Sequence, residues 1–215
     1  MELFLISINP IDVFLWTFRK NEKDVVNLYN TLSPVMQIAT GGSMLNFGYW
    51  SKEHSDPISA QENLCNVFGN LSELSTAKNV LDVGSGLSAP SKLWRDSYPT
   101  LNLYDVNINF KQLSFLKHEK NIEFLNSTST KLPFADNSVD RVLALESAQH
   151  FKPLDNFISE SKRVLMKSGF LVMAVPITLK NSSLGRLGLL KFTWSSEHYG
   201  LDYLRDLISS NGFKI

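Results

Sequence analysis

The sequence predicts an α/β protein: one open parallel sheet with helices on both faces, a three-layer α/β/α arrangement led by a helical cap. Two observations carry this. From Asn79 to Pro176 short apolar runs alternate with stretches of helical period, and strands separated by helices of that length cross over and lie parallel. The first run, Asn79-Val80-Leu81-Asp82-Val83, passes directly into Gly84-Ser85-Gly86, as a buried strand turning sharply into a helix should. A chain of 215 residues, 43% hydrophobic and 20% charged, can bury one sizeable core.

Taken in order, Met1 to Phe18 is strongly apolar, yet Glu2 stands at its start and Asn9-Pro10-Ile11-Asp12 interrupts it. A secretory signal wants a basic start and a small-residue cleavage site, and the unbroken apolar part is too short to span a bilayer. The segment is expected to dock on or cap the domain, with peripheral membrane contact as the alternative. Glu22 to Gln37 has helical spacing through Val25, Val26, Leu28, Tyr29 and Leu32, with a bend or restart at Pro34. Ile58 to Thr76 is a second amphipathic helix with Leu64, Val67, Phe68, Leu71 and Leu74 on one side. After the first strand, further strands are expected at Leu101 to Val106, Ile122 to Leu125, Arg141 to Leu145 and Phe170 to Pro176. Helices are expected near Ser88 to Asp96, Phe110 to Glu119, Asn156 to Met166 and Leu201 to Ser210. Residues 1–57 thus form a helical lead and 58–215 the ligand-binding domain. Gly212-Phe213-Lys214-Ile215 begins what would be a further strand, leaving the sheet edge incomplete; an uncovered edge favours pairing with a second copy.

Lysine plus arginine equals aspartate plus glutamate at 21 each, so no overall positive field is available to hold a polyphosphate, and nucleic acid is disfavoured as a partner. The single cysteine, Cys65, excludes an internal disulfide and a cysteine-cluster metal site. It fits a reducing compartment, and the expected location is cytoplasmic. His54, His118 and His198 show no metal-ligand spacing.

In open parallel sheets ligands sit outside the carboxyl ends of the strands. After the first strand, Gly84 and Gly86 let the backbone approach a ligand with no side chain between. This spacing, completed by Ala89, is shared with dinucleotide-binding turns and with plain structural junctions. Asp82, two residues before the first glycine, would repel a pyrophosphate and attract a cationic group.

A later segment adds specificity. Asn121 to Leu125 is followed by Lys131-Leu132-Pro133-Phe134 and by Asn137-Ser138-Val139-Asp140-Arg141-Val142. With the glycine turn ahead of it, this order and spacing resembles the class I Rossmann-like S-adenosylmethionine-dependent methyltransferases, in particular the small-molecule type 11 group. The resemblance runs from about Leu45 to Ile215, and Asn46-Phe47-Gly48-Tyr49-Trp50 is similar to the subgroup acting on sterols, tocopherols and natural products. It implies S-adenosylmethionine as cofactor and a small-molecule acceptor, with Asp82, Gly84, Ser85 and Gly86 at the methionine portion. Ser88 stands where a third glycine is common. Asn107, with Ile108 beside it, falls at the ribose position, although Asp105 lies two residues earlier and Asn107 can equally cap the helix that follows. At the adenine position, where relatives carry an acid and a small residue, this chain has Thr128 and Ser129. Glu146 is expected to contribute backbone to the cofactor rather than carboxylate chemistry.

The resemblance also places His150 near the transferring methyl, as base or acceptor anchor, against a purely structural reading; histidine suits an acceptor with a proton to lose. Tyr29, Tyr49 and Trp50 either stack over the site and exclude water or form ordinary core. Thr178 to Tyr199, rich in leucine with Phe192 and Trp194, falls where relatives build an acceptor lid, and its apolar character suggests a lipophilic acceptor. Two other functions stay open: a cofactor-binding protein without catalysis, and a nicotinamide-dependent oxidoreductase, which would leave the Leu-Pro-Phe loop unexplained.

Overall fold

The computed structural model describes residues 21–178 and 199–215; the apolar Met1–Phe18 and nearly all of the Thr178–Tyr199 segment lie outside them. Element order is α1 (Glu22–Thr40), α2 (Pro57–Leu71), β1 (Asn79–Val83), α3 (Ala89–Ser97), β2 (Asn102–Asn107), α4 (Phe110–Ser114), β3 (Ile122–Asn126), β4 (Val139–Leu145), α5 (Leu154–Val164), β5 (Leu165–Ala174), the short β6 (Ile177–Thr178) and β7 (Tyr199–Gly200), and α6 (Leu201–Ser210). Short 3₁₀ turns occupy Leu74–Thr76 and Ala148–His150.

Five strands form one sheet in the order β3-β2-β1-β4-β5, and every adjacent pair is parallel. The chain runs outward from β1 through β2 to β3, then crosses back to β4 and β5. The order therefore reverses between β1 and β4, and the crevice beyond their carboxyl ends is where such a sheet receives a ligand.

Strand residues alternate between faces, and both faces here are dry. On one, Leu81, Val83, Val142 and Ala144 pack with Phe157, Ile158 and Val164 around α5. On the other, Val80, Leu103 and Leu143 pack with Phe68 of α2 and Trp94 of α3. Trp94 is fully buried, lies 6.1 Å from the Phe68 ring and donates Nε1–H to the Cys65 carbonyl at 2.9 Å. The Leu-Pro-Phe loop also has a structural explanation. Leu132 is buried in the α5-side core, Phe134 meets Tyr104 edge to face, and the Arg163 guanidinium donates to the carbonyls of Leu132 (3.0 Å) and Phe134 (2.8 Å) while paired with Glu160 and Asp136.

Several elements differ from expectation. Helix α1 continues through Pro34 to Thr40. The turn before the proline is held from outside, since Asn109 Nδ2 donates to Asn30 Oδ1 (3.1 Å) and Gln112 Nε2 to Ser33 Oγ (2.9 Å), and the turn after it is closed by the Gly41 amide on the Gln37 carbonyl (2.9 Å); together these offset the one backbone bond that proline lacks. Helix α4 stops at Ser114 rather than Glu119, leaving Phe110 and Phe115 exposed. Leu71, placed on the apolar side of α2, is 69% exposed at its last turn. Strand β5 begins at Leu165 because Leu165 pairs with Val139; a register shift follows before Phe170 pairs with Arg141. Residues 213–215 adopt no strand.

Candidate active site

The turn after β1 is stitched to β2. The amides of Gly84 and Ser85 both donate to the Val106 carbonyl (2.7 and 3.4 Å), and Asn107 Nδ2 donates to the Gly86 carbonyl (3.0 Å). Gly84 and Gly86 have φ of +80° and +57°, conformations that glycine adopts without cost. At Gly84 a Cβ would lie 2.5 Å from Ser147 Cβ, so the turns after β1 and β4 touch there; Ser147 Oγ closes the contact by donating to the Val83 carbonyl at 2.7 Å. Ser88, in the place of a third glycine, has φ +62° and caps α3 with no side-chain bond.

Above this junction α1 and the strand ends enclose a cleft of about 950 Å³, part of it open to solvent. Asp82, Gly84, Ser85, Gly86, Asn107, Ile108, Ser129, Glu146 and His150 all line it, and of the expected contacts Thr128 alone does not. The hydroxyl of Thr128 instead donates to the carboxylate of Glu22 at the start of α1, and Glu22 itself lines the cleft.

The electrostatics are one-sided. Three carboxylates (Glu22, Asp82 and Glu146) line the cleft, and among the described residues no lysine or arginine does. Asp82 and Asp105 are both almost fully buried, and Ser91 Oγ bridges them at 3.3 and 2.6 Å. Burial raises both carboxyls above the usual range, and the neighbouring Asp105 raises Asp82 further. Burial also raises Glu146, whose Oε2 accepts the Phe47 amide at 2.7 Å. Backbone groups of Glu146 are engaged as well: its N–H donates to the Ala174 carbonyl and its carbonyl accepts from Gln149 Nε2.

His150 is buried, with Nε2 3.0 Å from the Tyr29 hydroxyl and the two rings edge to face at 5.4 Å. Burial, with the charge of Glu146 second, raises the Tyr29 phenol far above its ordinary range, so Tyr29 is neutral at physiological pH. The side chain of Asn107 is largely spent inside the protein: Nδ2 also donates to Gln112 Oε1 at 2.8 Å, and Oδ1 accepts the Asn109 amide at 2.9 Å. Tyr49 and Trp50 lie neither in the cleft nor in the core. Both are more than half exposed, because the Tyr49 amide is fixed to the Ala60 carbonyl (2.8 Å) and Gly48 presses on Ala60, which turns the two rings outward.

Sequence reasoning missed Glu22, Gln112 and Leu45 as cleft residues. Nothing local signals them, since each belongs to a segment that reaches the site only by packing. Among the described residues no group of histidine, cysteine and acids is arranged to hold a metal ion.

An S-adenosyl compound fits this chemistry. The acids suit a cationic ammonium and sulfonium, the Ser85 hydroxyl is buried without a protein partner, and the glycine turn leaves room where a Cβ at Gly86 would press on Leu45.

Comparison with known proteins agrees with this geometry. Residues 81–173 match the model of a family described as a methyltransferase domain. The chain is 25% identical over 175 residues to an erythromycin 3''-O-methyltransferase of Saccharopolyspora erythraea, covering 77% of this chain and 57% of the relative. It is 30% identical over 139 residues to the methyltransferase GfsG of Streptomyces halstedii, covering 60% and 50%. The chain thus spans about half the length of these relatives. Among solved structures it is similar to the [4+2]-cyclase SpnF, with a TM-score of 0.78 at 20% identity over 91% of this chain and 73% of that one. It is also similar to the mycolic acid cyclopropane synthase CmaA1 complexed with SAH and CTAB, with a TM-score of 0.73 at 16% identity over 92% and 77%. The stretch from Leu81 to Met173 thus matches the methyltransferase-domain family, and it is carried on the Rossmann-like parallel sheet that its solved neighbours share.

Proposed function

We propose that this chain binds S-adenosylmethionine in the cleft beyond β1 and β4 and transfers its methyl group to a small, lipophilic acceptor. The observation that carries the reading is the charge of the cleft: three acids and, among the described residues, no lysine or arginine. That lining attracts a cation and repels the pyrophosphate of a dinucleotide. When bound, S-adenosylmethionine supplies an electrophilic methyl on a sulfonium. The chain's residues bind, align and exclude water, which is most of what an in-line displacement needs.

In this reading Asp82 faces the cofactor's ammonium, and Gly84, Ser85 and Gly86 accommodate the rest of the methionine portion. Asn107, with one acceptor lone pair left on Oδ1, takes a ribose hydroxyl; Ile108 and Ser129 border the base. Glu146 keeps its carboxylate on the Phe47 amide and so holds residues 46–50 against the cleft. His150 serves as base through the Tyr29 hydroxyl, which lies 3.0 Å from Nε2: the phenol passes its proton to Nε2 as it takes the proton of an acceptor hydroxyl, and so ends neutral. Val25, Leu45, Leu145 and Phe151 give the cleft an apolar wall, which favours a lipophilic acceptor. Relatives named for erythromycin, fatty acids and sterols act on acceptors of that kind. Among the described residues no helix is long and apolar enough to cross a membrane. The unpaired, buried Cys65 fits a cytoplasmic site of action.

The test is incubation with methyl-labelled S-adenosylmethionine and a panel of hydroxylated macrolides, fatty acids and sterols, with products read by mass spectrometry. A product gaining one methyl group supports the reading. Binding of the cofactor with no transfer to any acceptor class would favour a binding protein without catalysis.

A further inference from the structure

The first turn of α1 lies over the loop that follows β3, and there Glu22 enters the cleft. Its Oε1 accepts the Thr128 hydroxyl, 106 residues away in sequence. Among the described residues the carboxylate has no other hydrogen-bond or ion-pair partner, so one oxygen is held and the other remains available to a ligand. The same segments also give the cleft Val25, one turn on from Glu22 in α1, and Ser127 and Ser129 on either side of Thr128, with Ile108 from just past the end of β2, apolar surface with small hydroxyls between which a flat ring can lie. The turn after β1 is two strands away from the β3 end, because β2 lies between them, a separation of about 10 Å.

We infer that Glu22 reads the adenine amino group of the cofactor, and that α1 is therefore a base-selecting element of the site as well as its cover. The inference rests on the proposed cofactor. With the amino-acid end at Asp82 and the glycine turn, the base reaches the β3 end of the cleft. Its exocyclic amine is purely a donor and is matched by a carboxylate oxygen, a charge-assisted bond stronger than a hydroxyl would give. Thr128 cannot serve as that acceptor without competition, since its oxygen also contacts Thr130 (3.1 Å) and its proton is committed to Glu22. Its task is to position the acid. A base bearing a carbonyl in place of the amine would face the carboxylate with like polarity and be rejected.

Calorimetric titration of the full chain with S-adenosylhomocysteine and with S-inosylhomocysteine, its counterpart carrying hypoxanthine, tests this without reference to turnover. The wild-type chain is expected to prefer the adenine compound by about tenfold or more, the size of a charge-assisted bond. Glu22→Gln, which preserves size and can donate to a carbonyl, should weaken S-adenosylhomocysteine about tenfold and abolish or invert the preference. Glu22→Asp should weaken binding but keep the preference, and unfolding midpoints equal to wild type confirm that each variant is folded. If Glu22→Gln binds both compounds as the wild type does, this inference is overturned while the cofactor reading stands. If the wild-type chain binds neither compound, both are overturned.

Discussion

Replacing Gly84 by alanine should damage the fold far more than the same change at Gly86, although the two glycines sit in one turn. At Gly84 the new side chain would stand at φ +80° with Cβ 2.5 Å from Ser147 Cβ and 2.9 Å from its Oγ. Ser147 cannot yield easily, because its hydroxyl is tied to the Val83 carbonyl and its Cβ moves only with the backbone after β4. Left-handed backbone costs about 1–2 kcal/mol for a non-glycine residue, and forced overlap in a packed site adds about 1–3 kcal/mol. The sum is about 2–5 kcal/mol. At Gly86 φ is +57° and the nearest obstacle is the flexible tip of Leu45, 3.2 Å away, so only the backbone cost of about 1–2 kcal/mol applies. Urea unfolding measures both, with an unchanged slope showing that the unfolded state is unaltered. In a chain of this size each kcal/mol lowers the melting temperature by about 2–4 °C. Adding Ser147→Gly to Gly84→Ala should recover the overlap portion as a coupling energy of about 1–3 kcal/mol. Equal losses at the two glycines, with no coupling to Ser147, would mean that the turns after β1 and β4 do not press on each other at Gly84.

Other expectations follow from the same site. Ser88→Gly should stabilise the protein by about 1 kcal/mol, since Ser88 holds φ +62°; a loss in denaturant unfolding would show that its buried hydroxyl, which faces Asp105, matters more than the strain. Burial raises the folded-state values of Asp82 and Asp105 above the unfolded value of about 3.9. The folded state therefore holds more protons just above pH 4. The pair's contribution is fully present below the unfolded value and is lost as pH rises through the raised folded values. Asp105→Asn should flatten that decline, and an unchanged slope would contradict it. A cation beside Asp82 drives off the proton, so titrations in buffers of different ionisation enthalpy should show proton release on binding S-adenosylhomocysteine. His150→Gln should lower methyl transfer about 10²- to 10⁴-fold with cofactor affinity within about twofold of wild type; unimpaired turnover would remove His150 from the mechanism.

What the sequence made legible was everything dictated locally. The apolar run bounded by glycine placed β1 at Asn79–Val83, because a run that short and ending in glycines is too brief for a buried helix and suits a strand covered on both faces. The alternation of strands with helices implied the parallel order. The Leu132-Pro133-Phe134 loop carried the family resemblance, yet its residues serve the fold: they fix the loop onto α5 through Arg163. What stayed hidden depends on contacts between distant segments. Pro34 suggested a bend or restart, whereas α1 runs on to Thr40 with Asn30 and Ser33 held by Asn109 and Gln112 from a distant segment. The aromatic pair Tyr49 and Trp50 suggested a site or a core, and Gly48 on Ala60 directs both to solvent. At Thr128 the sequence showed an acid missing from its expected place, whereas the fold brings Glu22 to the same point from α1. No local pattern announces that substitution.

The occupant proposed for the acid-lined cleft beyond β1 and β4 is S-adenosylmethionine. Calorimetric titration of the chain with S-adenosylhomocysteine and S-adenosylmethionine, with NAD as control, measures this at the cleft itself. Both S-adenosyl compounds are expected to bind at micromolar concentration, more weakly after Asp82→Asn, and NAD to give no signal. Binding of NAD alone, or S-adenosyl binding indifferent to Asp82, would rule that occupant out.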